Sequence, residues 1–244
     1  MPDAPRTLAS TLQSPILLIG AAHVIDLRRP LRAALEGRTL DAIAIELDVE
    51  RAAVIFGPEP AGRTRQGAPV FLRLWSTIQR RLGQELGGGP PGAEMRTAGE
   101  VARERGIPIL LIDDPIRETL GRLLRSLTLR ERLSLLVGAV VGLLIPPRVV
   151  ERQLDRYNEA PVDYLEQVRS AYPTIARVLL DDRNEHMATR LVTMRNEGYG
   201  RIAAVVGDAH VAGIAAALRR QSVPVETIAF AQLRGATAPS AGSS

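Results

Sequence analysis

The chain contains the same short phrase twice, an apolar run that ends in Gly-x-x-His. Near the N-terminus the run 17–20 leads to His23, and near the C-terminus the run 202–207 leads to His210. A continuous apolar run of this length is typical of a strand buried on both faces, and the glycine lets the chain turn sharply where the strand ends. The phrase therefore predicts two strand–turn–helix units, each with a histidine at the mouth of its helix. In open α/β sheets, ligands bind at that position.

Along the rest of the chain, apolar runs that predict strands alternate with apolar spacings that predict helices. Further short apolar runs predict strands at 42–47, 107–112 and 223–230. Apolar residues at helical spacing predict helices at 26–36, 71–86, 94–105, 174–197 and 208–220. Strands that alternate with helices predict an α/β fold with a mainly parallel central sheet flanked by helices.

One long segment interrupts this alternation. Residues 119–172 contain no strand signal and predict an inserted helical subdomain, which could make a homo-oligomer contact. The α/β core is then formed by residues 15–118 and 173–232. The polar and small-residue segments 1–14 and 233–244 are expected to be flexible tails.

Composition narrows the chemistry that is open to this chain. There is no cysteine, and all 31 basic side chains are arginine, so thiol, thiolate-metal and Schiff-base chemistry are excluded. Aromatic residues make up only 3%, and the arginines are interleaved with acids, which argues against nucleic acid as a partner. The longest apolar stretch, 133–145, is shorter than the ~20 residues of a membrane-spanning helix. Membrane contact is therefore not expected. Because no leader pattern begins the sequence, a cytoplasmic location is expected.

Polar side chains follow each of the predicted parallel strands. Because the carboxyl ends of parallel strands meet at one edge of the sheet, we expect these side chains to converge there. Two histidines with one or two carboxylates are a normal ligand set for a divalent ion such as zinc, manganese or cobalt. The residues in question are His23, Glu46, Asp48, Asp113, Asp114, Asp208 and His210.

Three further residues invite a functional interpretation. Arg183 lies in the apolar stripe of the helix 174–197, where a guanidinium needs a carboxylate partner or a substrate anion. Glu94 opens the helix 94–105, which on its own indicates only a favourable acid in the first turn. His186 has no partner motif and is interpreted as a solvated helix residue.

Six phrases, in order, resemble the TraB/PrgY pheromone-shutdown family, which is related to the Tiki and GumN proteins. They cover about residues 16–221, and although each phrase is weak alone, six in order form a specific signal. Two departures stand out, since Ala21 replaces a usual threonine and Asp114 stands where the family often has arginine. The phrases are Ile19-Gly20-Ala21-Ala22-His23-Val24, Ile45-Glu46-Leu47-Asp48 with Arg51, Pro91-Gly92-Ala93-Glu94-Met95, Leu111-Ile112-Asp113 with Thr119-Leu120 and Arg122, Asp182-Arg183-Asn184 with Met187, and Val206-Gly207-Asp208-Ala209-His210-Val211-Ala212-Gly213.

The resemblance implies a fold like that of the erythromycin-esterase and ChaN-like proteins. It also implies metal-dependent peptidase activity, as in the Tiki branch, and a peptide substrate or ligand. Carried over to this chain, His23 and His210 would be metal ligands, and Glu46 a ligand or an acid–base group. Glu94 and Arg183 would be further site residues. Many archaeal relatives carry C-terminal membrane helices, and this chain shows none.

The leading hypothesis is therefore a soluble hydrolase that cleaves peptides with a divalent ion of manganese, cobalt or zinc. One alternative is a metal-free, esterase-like hydrolase in which a histidine acts as general base. The other is a protein that binds and sequesters a peptide or haem without turnover, although the low aromatic content disfavours haem.

Overall fold

The structure is a computed structural model, and it describes residues 14–21, 27–57, 92–134, 166–167 and 169–235. Several sequence predictions fall outside these residues. They are His23, the first residue of the helix 26–36, the helix 71–86, most of the proposed insertion 119–172 with nearly all of the apolar stretch 133–145, and most of the two tails.

Strands and helices alternate along the described chain as the apolar pattern predicts. The strands are β1 (Ile16–Ala21), β2 (Ala42–Ile45), β3 (Ile109–Leu111), β4 (Ile202–Gly207) and β5 (Val225–Ile228). The α-helices are α1 (Arg28–Glu36), α2 (Val49–Phe56), α3 (Ala93–Glu104), α4 (Ile116–Ser126), α5 (Pro173–Ala176), α6 (Asp182–Asn196), α7 (Asp208–Arg220) and α8 (Phe230–Gly235), with a π-helix at Arg177–Asp181 between α5 and α6.

The five strands form one sheet in the order β3-β2-β4-β1-β5, and every neighbouring pair is parallel. The predicted α/β fold with a parallel sheet is thus confirmed. β4 lies in the centre, where Ala203 pairs with both Leu17 of β1 and Ile43 of β2. The first and fourth strands, which carry the repeated phrase, are therefore direct neighbours.

Helices cover both faces of the sheet, which explains why its strands are continuous apolar runs. All six residues of β1 are buried, and successive residues point into different cores. Leu17 and Ile19 pack with α1 and α3 on one face. Leu18 packs with α6 and α7 on the other.

The long helix predicted at 174–197 is present, but it is not uniformly α-helical. It begins at Pro173 and ends at Asn196, with a five-residue π-helix in between. A π-turn inside an α-helix is rare and is frequent at functional sites. The turn ends at Asp181, two residues before Arg183, so it sets the rotation of the helix where that side chain leaves it.

Two of the expected segment boundaries differ from the observed elements. α4 runs across the proposed start of the insertion, and its Thr119 is buried. α8 continues to Gly235 with Leu233 buried against the sheet, so the first residues of the expected C-terminal tail belong to the core. Among the described residues, no helix combines the length and apolar character required to cross a bilayer.

Candidate functional site

The site lies at the carboxyl edge of the sheet, between β2 and β4. These strands are adjacent, but the helices that follow them along the chain pack on opposite faces of the sheet. Such a change of side opens a crevice at the strand ends, where open α/β proteins bind ligands. Glu46 directly follows β2, and its Oε2 accepts a hydrogen bond of 2.6 Å from the backbone N–H of Gly207 at the end of β4. The crevice is therefore bridged by a carboxylate at its base.

The two glycines of the repeated phrase lie at close approaches of the chain rather than at unusual turns, and the approach is closest at Gly20. Gly207 has an ordinary φ of −59°, and a Cβ there would lie 3.3 Å from Oε2 of Glu46. At Gly20 a Cβ would lie only 2.3 Å from Oδ1 of Asp208. That oxygen accepts a hydrogen bond of 2.8 Å from the N–H of Phe230. The side chain of Asp208 thus packs against β1 at Gly20 and accepts a hydrogen bond from the first residue of α8.

Arg183 is the centre of the buried charge network. Its Nε and Nη2 donate to the two oxygens of Asp113, at 3.0 and 2.5 Å, and Nη2 also donates to Oε1 of Glu46. Nη1 donates to the backbone carbonyl of Leu179, at 3.2 Å, and faces Nε2 of His210 at 3.1 Å. The guanidinium therefore joins the ends of β2 and β3 to the first turn of α7.

The charges in this network stabilise one another. Burial alone would raise the pKa of Asp113, but hydrogen bonds and charge from Arg183 and the charge of Arg51 lower it to about 2. Burial alone would lower the pKa of Arg183, but Asp113 and Glu46 raise it above its ordinary value. The ion pair between Arg183 and Asp113 therefore persists throughout the physiological pH range.

His210 is neutral, and its tautomer follows from its neighbours. Burial, reinforced by the charge of Arg183, lowers its pKa despite the nearby carboxylate of Glu46. Because arginine can only donate, Nε2 must accept from Arg183 Nη1. The ring proton is then on Nδ1, which donates to Oδ1 of Asn184 at 2.7 Å. Gly213 permits this arrangement, since a Cβ there would lie 2.0 Å from Nδ2 of Asn184.

A second arginine holds the other side of Asp113. Arg51 donates from Nη2 to Asp113 Oδ2 at 2.6 Å and from Nε to Asp48 Oδ2 at 2.8 Å. Asp48 also caps α2 by accepting from the N–H of Arg51 at 2.7 Å, and it accepts from the N–H of Ile116 at 3.0 Å. Asp48 therefore positions Arg51, and through it Asp113, rather than facing the crevice itself.

The structure brings together three of the predicted site residues, namely Glu46, Arg183 and His210. Glu94 is buried in the first turn of α3, a helix that packs on the opposite face of the sheet from α6. Its part in the site stays a prediction. His23 is outside the described residues, so its meeting with His210 also stays a prediction.

Sequence reasoning did not name Asn184 as a site residue, gave Asp113 no particular partner and left His186 unpaired. Asn184 sets the tautomer of His210, and its position next to Arg183 was the available signal. Asp113 stood at a strand end, but nothing in the sequence singled it out as the main partner of Arg183. His186 was interpreted as a solvated helix residue without a partner; its side chain is 35% exposed, but its Nδ1 lies 3.1 Å from Oδ1 of Asp114.

Glu46 and His210 have the spacing of two ligands of one ion. Oε1 of Glu46 and Nε2 of His210 are 3.4 Å apart, and bonds of ~2.1 Å at a tetrahedral angle separate two ligands by about 3.4 Å. The neutral imidazole, with its lone pair on Nε2, suits a metal. Both atoms also contact Arg183, so the guanidinium shares the position that an ion would take. Within the described residues, no group of three or more potential ligand side chains comes together, and a third ligand is expected from His23.

The fold and this crevice define an α/β protein with a buried arginine–carboxylate–histidine cluster at the switch point of a parallel sheet. The chain belongs to the TraB/PrgY/gumN family, whose model matches residues 8–227. It is also similar to the uncharacterized protein MJ1365 of Methanocaldococcus jannaschii, with 29% identity over 224 residues, covering 88% of this chain. The match spans 56% of that relative's length.

Proposed function

We propose that this protein is a hydrolase that cleaves peptides at the crevice between β2 and β4, using a divalent ion. The observation that carries the proposal is the convergence of Glu46, Arg183 and His210 from three separate elements at the switch point of the sheet. A structural ion pair would need only Arg183 and a carboxylate. A neutral histidine in a fixed tautomer, whose Nε2 lone pair accepts from Arg183 and lies 3.4 Å from Oε1 of Glu46, adds a group that suits catalysis or metal binding.

In this proposal His210, Glu46 and His23 would hold the ion. Such an ion supplies Lewis acidity, which lowers the pKa of water into the neutral range. Asn184 contributes by keeping the imidazole of His210 in the tautomer whose Nε2 is a ligand. Gly207 contributes by orienting the carboxylate of Glu46 through its backbone N–H.

The residues of the chain also supply the remaining tasks of amide hydrolysis. Arg183 is a fixed positive charge inside the crevice, and it would stabilise the negative charge that develops on the carbonyl oxygen. Asp113 and Arg51 hold that guanidinium in place, which reduces the reorganisation needed during the reaction. Glu46 or Glu94 would accept the proton of the attacking water.

A metal-free hydrolase is the second candidate, and one observation favours it. Arg183 already contacts both Glu46 and His210, so a cation is present at the position that a metal would take. In that case His210 would act as general base. Treatment with a chelator separates the two candidates, because activity that survives complete metal removal supports the metal-free reaction.

The test combines metal content with peptide cleavage in the variants His23→Ala, His210→Ala and Glu46→Gln. Each is expected to lower bound Mn²⁺, Co²⁺ or Zn²⁺ below the wild-type stoichiometry and to reduce cleavage of a fluorogenic peptide pool by ~100-fold or more. Glu185→Gln is the control, because it breaks only an exposed pair between Glu185 on α6 and Arg220 at the end of α7. Wild-type metal content and cleavage in the histidine variants would refute the proposal. A wild-type protein that binds a peptide without forming product would indicate sequestration instead.

A further inference from the structure

The third histidine of the chain forms a pair that the proposed reaction has not used. His186 lies on α6, one turn beyond Arg183, and its Nδ1 is 3.1 Å from Oδ1 of Asp114. Arg183 and His186 are three residues apart, so they share a face of the helix. Their partners Asp113 and Asp114 are consecutive. The end of β3 thus presents one carboxylate to the arginine and the next to the histidine.

Asp114 is held firmly enough to orient an imidazole. Its Oδ2 accepts from Nη2 of Arg122 on α4. Its backbone N–H donates to Oδ1 of Asp113 at 2.8 Å, and its carbonyl accepts from Arg51 at 3.2 Å. A carboxylate fixed beside Nδ1 keeps the ring proton on that nitrogen and leaves the lone pair on Nε2.

Exposure increases along this network from Asp113 outward to His186. The side chain of Asp113 is 0% exposed, that of Asp114 is 10% exposed, and that of His186 is 35% exposed. The network therefore runs from a buried base at Arg183 and Asp113 to an outer end at His186. An imidazole at the outer end can exchange protons with solvent, whereas the Nε2 of His210 is buried and accepts a hydrogen bond from Arg183.

We propose that His186, oriented by Asp114, is the catalytic residue that protonates the leaving group. The inference rests on the proposed peptide hydrolysis. Nε2 of His186 takes a proton from solvent and donates it to the amine nitrogen as the C–N bond breaks. The carboxylate that accepted the proton of the attacking water returns it to solvent, so one water is consumed and one acid and one amine are formed. Asp114 carries the compensating negative charge.

A general acid at His186 would affect amide and ester cleavage differently, whereas a purely structural residue would affect both alike. Protonation matters for an amine leaving group, but p-nitrophenolate departs without it. We would compare a peptide amide with a p-nitrophenyl ester that has the same acyl part. His186→Gln is expected to lower kcat for the amide by ~100-fold and to leave the ester rate within about threefold of wild type. Asp114→Asn is expected to lower amide cleavage by about tenfold, with the ester again spared.

Two control variants are measured on the same amide and ester. Glu185→Gln is expected to leave both rates unchanged, and Glu46→Gln is expected to reduce both. His186→Asn is a second variant, and thermal melting of each protein checks that the fold is intact. Equal losses on amide and ester, or no loss on either, would overturn the role of His186 while leaving the proposed hydrolysis standing. A folded wild-type protein that cleaves neither substrate would overturn both proposals.

Discussion

The buried carboxylate of Asp113 should give this protein a measurable loss of stability in acid, and Asp113→Asn should remove it. The pKa of Asp113 falls from 3.8 to about 2 on folding, which corresponds to about 2 kcal/mol of stability. Because the folded-state pKa lies below the unfolded value, this stabilisation is complete above pH ~5. It is lost as the pH falls from ~4 through about 2.

The assay is urea unfolding of the wild type and the variant between pH 7 and pH 3. At neutral pH the variant should be less stable by ~3 kcal/mol or more, because it leaves the buried guanidinium of Arg183 short of one partner. At pH 3 the difference should shrink by about 1 kcal/mol, since roughly half of the stabilisation by the ionised carboxylate is then lost in the wild type. The variant serves as its own reference for the other acidic groups, which titrate in both proteins.

A matched control removes a carboxylate from an exposed pair. Asp181 accepts two hydrogen bonds from Arg169 near the protein surface, so Asp181→Asn should cost less than ~1 kcal/mol at neutral pH. If the difference in unfolding free energy between the wild type and Asp113→Asn were the same at pH 7 and pH 3, the network would not hold Asp113 ionised. The account of the site as a set of mutually stabilised charges would then be wrong.

Two further predictions concern the support of the site. Gly213→Ala should destabilise the protein by ~1–3 kcal/mol in thermal melting, because the new Cβ would lie 2.0 Å from Nδ2 of Asn184. Gly121→Ala in the partly exposed helix α4 should instead be neutral or stabilising, and comparable losses in both variants would contradict the packing argument. Arg183→Gln should bind Co²⁺ ~10-fold or more tightly in calorimetry, since a competing charged hydrogen bond of ~1.5–3 kcal/mol is lost. Equal or weaker binding would show that the guanidinium does not compete with an ion.

The sequence predicted the sheet edge well because strand ends obey a topological rule. Once the strands are parallel, Glu46, Asp113 and His210 must share an edge, whatever the details of packing. The burial of Arg183 was also readable, because an arginine inside an apolar helical stripe needs a partner. The identity of that partner could not be predicted from the sequence, since it depends on which strand end lies beneath the first turn of α6.

Other features of the site have no local signal in the sequence. The π-turn at 177–181 changes the rotation of α6 without any distinctive composition. His186 looked solvated because its partner, Asp114, is distant along the chain and belongs to another element. The glycine at 207 was expected to allow a turn, whereas the structure shows that it makes room for Glu46. Close approach between distant segments is a property of the assembled fold.

The place of β4 in the sheet has a consequence for synthesis of the protein. The strand is central, yet it follows both of its neighbours in the chain. Until residues 202–207 leave the ribosome, β1 and β2 cannot be joined, and each presents an unpaired edge to other chains. The contact of Glu46 with Gly207 spans 161 residues, so the crevice cannot exist in a nascent chain that lacks its last strands. The complete crevice and protection from aggregation are therefore acquired in the same late step.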